Sequence, residues 1–233
     1  MGKGESAMKK ILSVILMLSL IFALTACGET GSESNTAAPE SARDTSAPAA
    51  GTSEPTPSSG GKSIVIYFSR AGEQYGVGTI EKGNTEIIAE MIAEKTGSDI
   101  FEIEPTDDRY DLSYNDLTDY AKQEQNDNAR PEYKGGTDLS AYDTVYLGYP
   151  IWWGDLPMIV YTFLESNDFS GKTVYAFCTH AGSGNSGTAG KIEKILPQAS
   201  VSDSILAIAG TTAQNDRDRA RAETEDWLNE IGR

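Results

Sequence analysis

The chain has 233 residues and a formal net charge of −16, from 35 acidic and 19 basic side chains. Such an excess repels phosphate backbones and anionic lipid surfaces, which excludes nucleic-acid binding and a polybasic membrane patch. Two cysteines, Cys27 and Cys178, and one histidine, His180, leave no material for a disulfide-rich scaffold, a His/Cys metal cluster or a G-x-S-x-G hydrolase triad.

The first segment reads as a targeting signal. Lys9 and Lys10 precede an apolar run from Ile11 to Leu24, followed by Leu24-Thr25-Ala26-Cys27. The run is shorter than the ~20 residues of a comfortable membrane span. Leu-Thr-Ala-Cys resembles the lipobox of bacterial lipoproteins, which implies cleavage before Cys27 and a lipid on its thiol. Met8 offers the true start, with residues 1–7 an upstream extension. Residues 1–27 are thus expected to be a leader with its lipidation site. Residues 28–62 are Ser, Thr, Ala, Pro, Gly and Glu with no large apolar side chain. Such a stretch cannot bury enough surface to offset chain entropy and is expected to be a tether. A folded domain is expected over residues 63–233.

Within that domain Ser63–Phe68 is a continuous apolar, β-branched run, the pattern of a strand covered on both faces. A helix capped by Asn84 or Thr85 follows, with Ile87, Ile88, Met91 and Ile92 at helical spacing and Gly97 as its stop. Asp99–Glu104 reads as a second strand, ending at Pro105. The polar segment Ser113–Asn128 predicts a solvated helix overhanging any site below it. Val145–Gly148 is a third strand, Pro157–Leu164 a helix, Lys172–Cys178 a fourth strand with Cys178 as a small buried hydrophobe, and Gly187–Leu196 a short helix. Val201–Ala209 holds a fifth strand, and Asp216–Ile231 a terminal surface helix. Alternating strands and helices predict an α/β fold with a parallel sheet, five-stranded and doubly wound, in the order 2-1-3-4-5. In such sheets ligands bind at the carboxyl ends of strands, where the winding reverses.

Three loops at those ends stand out. After the first strand comes Ser69-Arg70-Ala71-Gly72, then an insertion from Glu73 to Lys82, then Gly83-Asn84-Thr85 opening a helix. A helix start with Gly, Ser and Thr reads either as a tight turn with an ordinary cap or as a seat for one phosphate, whereas the P-loop and G-x-G-x-x-G signatures are missing. After the third strand comes Pro150-Ile151-Trp152-Trp153-Gly154. Neighbouring residues of a strand face opposite ways, so two adjacent indoles belong in a loop. There they either plug the core or offer a flat ligand a stacking surface. After the fourth strand comes Thr179-His180-Ala181-Gly182-Ser183-Gly184, whose backbone can approach a ligand edge, with His180 offering a hydrogen bond or a positive charge. A ligand with one phosphate, a linker and a flat heteroaromatic ring fits all three: flavin mononucleotide, FMN.

The GNT after an extended first loop, GYPIWWG after the third strand and FCTH-x-G-S-G after the fourth resemble bacterial flavodoxin-like proteins over residues 62–233. The resemblance implies that Ser69, Arg70, Ala71, Asn84 and Thr85 hold the FMN phosphate. It places Pro150, Ile151, Trp152, Trp153 and Gly154 beside the isoalloxazine ring, and Thr179, His180, Ala181, Gly182, Ser183 and Gly184 at its edge. The ten-residue insertion departs from the compact flavodoxin loop, so Arg70 is a candidate for direct pairing with the phosphate. The leader departs from the cytoplasmic members. The implied function is electron transfer or FMN-dependent oxidoreduction, anchored outside the cytoplasm by lipid alone, with a redox protein or small-molecule acceptor as partner. The alternatives are an NAD(P)H- or quinol-linked quinone reductase and a non-redox ligand-binding lipoprotein. The acidic chain disfavours an anionic reduced flavin and makes it a stronger reductant; a charged His180 would oppose this.

Overall fold

The computed structural model describes residues 61–233. The leader, Cys27 and nearly all of the expected tether fall in residues 1–60, outside the described residues.

Strand β1 (Ser63–Tyr67) lies at the centre of a parallel sheet, between β4 (Asp99–Glu102) and β5 (Thr144–Pro150). Beyond β5 comes β6 (Thr173–His180), which pairs at its start with β7 (Ser200–Val201) and at its end with β8 (Leu206–Ala209). The order is the predicted 2-1-3-4-5, with one difference. The fifth strand is broken in two, because residues 202–205 leave the ladder between β7 and β8.

The period-2 rule divides the sheet's side chains between two cores. Ile64, Ile66, Val145, Leu147, Val174, Ala176 and Cys178 pack with Ile159, Val160 and Phe163 of α3 (Met158–Ser166) and Ile192 of α4 (Ala189–Ile195). Val65, Tyr67, Tyr146 and Phe177 face Ile87, Ile88, Met91 and Ile92 of α1 (Asn84–Thr96). That second core also takes Ala213 of α5 (Gly210–Asn215) and Trp227 and Leu228 of α6 (Arg217–Glu230). A Cβ on Gly148 would lie 2.2 Å from the ring of Phe177, its partner across the β5–β6 ladder, so glycine there is what admits the buried ring.

Two segments differ from the sequence expectation. The insertion after β1 folds back as an antiparallel hairpin, β2 (Gly72–Gln74) with β3 (Gly78–Ile80). The polar helix α2 (Tyr114–Asn126) is not wholly solvated: Leu117, Ala121 and Glu124 are buried. Glu73 of the hairpin accepts from the Tyr114 N–H at 2.9 Å, so the hairpin caps the start of α2. Its negative charge also suits that positive helix end.

Candidate functional site

The loop after β1 packs tightly against the start of α1. A Cβ on Gly83 would meet Ser69 Oγ at 2.1 Å and the Arg70 carbonyl oxygen at 2.9 Å. Gly83, rather than Asn84 or Thr85, is the capping residue, and Ser69 Oγ supplies the missing side chain by accepting from Glu86 N–H at 3.1 Å. Among the described residues the N–H groups of Asn84 and Thr85 have no acceptor. They are unpaired donors at the positive end of a 13-residue helix.

Two hydrogen bonds tie this corner to its neighbours. Thr85 Oγ1 and Thr179 Oγ1 lie 2.8 Å apart in the interior, linking the α1 start to the end of β6. Gln214 of α5 donates to Asn84 Oδ1 at 2.9 Å and to the Lys82 carbonyl at 2.8 Å. The start of α1 is thereby tied to the end of β6 and to α5.

The two tryptophans are placed differently: Trp152 packs inward and Trp153 is exposed. Trp152 and Asp155 exchange backbone hydrogen bonds at 2.9 and 3.0 Å, closing a tight turn. The Trp152 ring packs edge to face on Phe68 and Tyr110, with centroids at 5.4 and 5.3 Å. Such pairs contribute roughly 0.5–1.5 kcal/mol each beyond burial. Trp153 adopts φ +51° and is 54 % exposed. Its indole N–H donates to the Thr118 carbonyl of α2 at 2.8 Å, and Lys122 Nζ stands 5.3 Å from its ring centroid. Lys191 braces the turn from α4, donating to the Gly154 carbonyl at 3.0 Å and pairing with Asp155 at 2.8 Å.

A cleft of about 390 Å³ lies between these parts, within the ~300–1,000 Å³ of small-molecule sites. Asn84, Pro150, Ile151, Trp152, Trp153, Thr179, His180 and Ala181 line it, so all three predicted loops reach one cavity. The other predicted residues do not line it. Thr85 is buried beneath it, while Gly154, Gly182, Ser183 and Gly184 lie beyond its lining. Ser69, Arg70 and Ala71 border a second hollow of about 300 Å³ beside Asp107, Asp108 and Asp111. Arg70 is already engaged: its guanidinium donates to the carbonyls of Tyr110 at 2.7 Å, Glu73 at 2.5 Å and Leu112. The sequence reading missed Gln74, Tyr75, Tyr114, Leu117, Thr118, Ala121 and Gly210, which complete the cleft from the hairpin, α2 and α5. Tyr75 in the insertion and Tyr114 at the start of the polar helix, aromatics in otherwise polar segments, were the available signal.

Burial lowers the His180 pKa from its ordinary value, against a smaller opposing effect of the Ala207 carbonyl, which favours the neutral ring. Its Nδ1 accepts from Gly182 N–H at 3.0 Å, which leaves the ring proton on Nε2. Cys178 is fully buried, and burial pushes its thiol up to about 12. Among the described residues there is no His/Cys/Asp/Glu cluster able to hold a metal, and no helix long and apolar enough to cross a membrane.

A doubly wound parallel sheet with its cleft over the carboxyl ends of the first, third and fourth strands defines the flavodoxin-like class, the standing example of ligand binding at a switch point. A family model described as "Flavodoxin" matches residues 62–229, and the chain belongs to that family. Among solved structures it is similar to a candidate flavoprotein from Bacteroides eggerthii, at 30% identity, covering 74% of this chain and 99% of that one, with a TM-score of 0.56. A candidate flavoprotein from Bacteroides uniformis matches at 29% identity over 71% and 99% of the two chains, TM-score 0.57. A Lactobacillus acidophilus flavoprotein in complex with FMN shares the fold at 20% identity over 72% and 98%, TM-score 0.53. No curated protein matches significantly. FMN is the cofactor that the family supports. The residues present fit it: unpaired helix N–H groups for a phosphate, an exposed indole for a ring, and the Thr179–Ala181 segment for a polar edge.

Proposed function

We propose that the chain is an FMN-dependent electron-transfer protein, held outside the cytoplasm by a lipid on Cys27. The observation that carries the redox reading is the convergence of Asn84, Trp152–Trp153 and Thr179–Ala181 on one cleft at one rim of the sheet. The leader pattern supports the location.

When bound, FMN supplies the redox chemistry. The chain's own residues bind and orient it. The unpaired N–H groups of Asn84 and Thr85 at the start of α1 would hold the phosphate. Arg70 acts by fixing the loop after β1 to residues 110–112 rather than by gripping the phosphate directly. Trp153 would offer a stacking face, and the Thr179–Ala181 segment a polar edge. The strongly acidic chain would disfavour added negative charge on a bound flavin.

The test is the visible spectrum of the purified chain on adding FMN. Micromolar uptake with reversible bleaching by dithionite supports the reading. No uptake sinks it, and a retained ligand without reversible bleaching points to a non-redox binding protein. A second reading, a reductase of small acceptors, is favoured by one observation: the hairpin and α2 roof the cleft, as a substrate pocket requires.

A further inference from the structure

One polar pair in the interior takes no part in holding a ligand. Tyr110 and Glu124 of α2 are 3 % and 5 % exposed, and the Tyr110 hydroxyl donates to Glu124 Oε2 at 2.9 Å. The second carboxyl oxygen, Oε1, has no hydrogen-bond partner and meets Arg109 Nη1 at 3.8 Å. A buried ionisable group left half satisfied costs stability, and a redox or catalytic role is one reason for a fold to keep it. A main-chain carbonyl would satisfy the hydroxyl equally well. A carboxylate is the partner that can also take the phenol proton, and 2.9 Å lies within the ~2.6–3.2 Å reach of a general base. Burial makes this carboxylate a stronger base than an exposed one.

Tyr110 also joins the cleft to the surface through a row of rings. On one side it meets Trp152, which lines the cleft, edge to face with centroids 5.3 Å apart. On the other it meets Tyr120 of α2 at 6.2 Å, and Tyr120 is 36 % exposed. Phe68 packs on both Tyr110 and Trp152, at 5.5 and 5.4 Å, and holds their spacing. Indoles and phenols are side chains that give up single electrons, a phenol readily only when a base takes its proton. Here the three oxidisable rings are in line, and the base sits on the middle one.

We propose that Trp152, Tyr110 and Tyr120 form a one-electron relay that drains small radical oxidants from the cleft to the surface of α2, with Glu124 as the base for the Tyr110 phenol. An electron leaves Trp152 for the radical, and the indole keeps its N–H. Tyr110 returns an electron to Trp152 as its phenol proton crosses to Glu124. The products are the reduced oxidant, a neutral Tyr110 phenoxyl radical and a protonated Glu124. Tyr110 then recovers its electron from Tyr120 and its proton from Glu124, while Tyr120 releases its own phenol proton to water. The exposed Tyr120 radical is left for a reductant in solution.

Pulse radiolysis at pH 8 with the azide radical, a small one-electron oxidant of indoles, tests this without relying on the cofactor. The full chain carries Trp153→Phe, which leaves Trp152 as the partly exposed indole beside a buried Trp227. The indole radical signal should give way to a phenoxyl signal at a rate independent of protein concentration. Tyr110→Phe keeps the ring contacts without the phenol, and Glu124→Gln keeps an acceptor that takes no proton. Each should slow the transfer at least about tenfold, short of the ~10²–10⁴ that a positioned base contributes. Circular dichroism checks every fold, and a background that does not fold is replaced by the wild-type chain, in which the same differences are read. Tyr120→Phe should leave the first transfer unchanged and slow quenching of the phenoxyl by added ascorbate. No transfer, or a rate indifferent to Tyr110→Phe or to Glu124→Gln, overturns the relay. Ascorbate quenching unaltered in Tyr120→Phe overturns its exit at the surface.

Discussion

Gly83→Ala probes the closest contact in the site. The added methyl would sit 2.1 Å from Ser69 Oγ and 2.9 Å from the Arg70 carbonyl oxygen, both well inside van der Waals separation. The hydroxyl can swing away, but Glu86 N–H then loses its acceptor, a cap worth ~1 kcal/mol. The carbonyl belongs to the main chain, so the 69–71 loop itself must shift, at the ~1–3 kcal/mol typical of overpacking. Together these come to about 2–4 kcal/mol, a large part of a usual stability of ~5–15 kcal/mol. Urea unfolding of the wild type, Ser69→Ala, Gly83→Ala and the double variant separates the parts. Ser69→Ala should lose only the cap. The double variant should lose less than the two single losses combined, because the nearer clash has gone. FMN affinity should fall at least tenfold in Gly83→Ala, since the strain falls at the helix start that carries the Asn84 and Thr85 N–H groups. A Gly83→Ala chain within ~0.5 kcal/mol of wild type, the range of an ordinary surface change, would refute the packing argument.

Other outcomes follow from buried titratable groups. His180 is the sole histidine, so one proton NMR signal should titrate below 6.5. Because its folded pKa is lowered, the unfolded chain binds the extra proton, and this contribution to stability is complete above 6.5 and is lost as pH falls below it. Glu124 has the opposite sign. Burial raises its pKa despite Tyr110, Tyr120 and Arg109 around it, with Asp107 also adding to the rise, and one carboxyl oxygen has no hydrogen-bond partner. Its stabilising proton is lost as pH rises through the folded pKa, so Glu124→Gln should gain stability relative to wild type between pH 5 and pH 8, read from urea midpoints. In a Cys27→Ser chain, Cys178 should resist a thiol reagent at pH 8 until denaturant is added, since burial holds its pKa at about 12.

The sheet was legible because its strands are continuous apolar runs, and buried parallel strands permit nothing else. The fifth strand was read as unbroken because Ser202, Asp203 and Ser204 are few, and strand patterns tolerate short polar gaps; only the ladder to β6 reveals the break. The hairpin left no trace, since Gly72–Ile80 has no apolar alternation and its turn depends on Gly76 and Gly78 at positive φ. For α2 the polar sequence concealed a buried face of three residues, one of them the charged Glu124. At the site, residue types foretold which loops converge but not which atoms are already engaged. Arg70 was read as a phosphate ligand because a guanidinium suits phosphate, yet carbonyls 40 and 42 residues away hold it. Such long-range pairings have no local signature.

The central claim is that the α1 start, the tryptophan turn and the His180 loop face one monophosphorylated planar ligand. Amide and indole shifts of the ¹⁵N-labelled chain during FMN titration test it most directly. Simultaneous, saturable shifts at Asn84 and Thr85, at the Trp153 indole and at His180 and Ala181 are the predicted result. Shifts confined to one of these segments, with the other two unmoved at saturation, would contradict it.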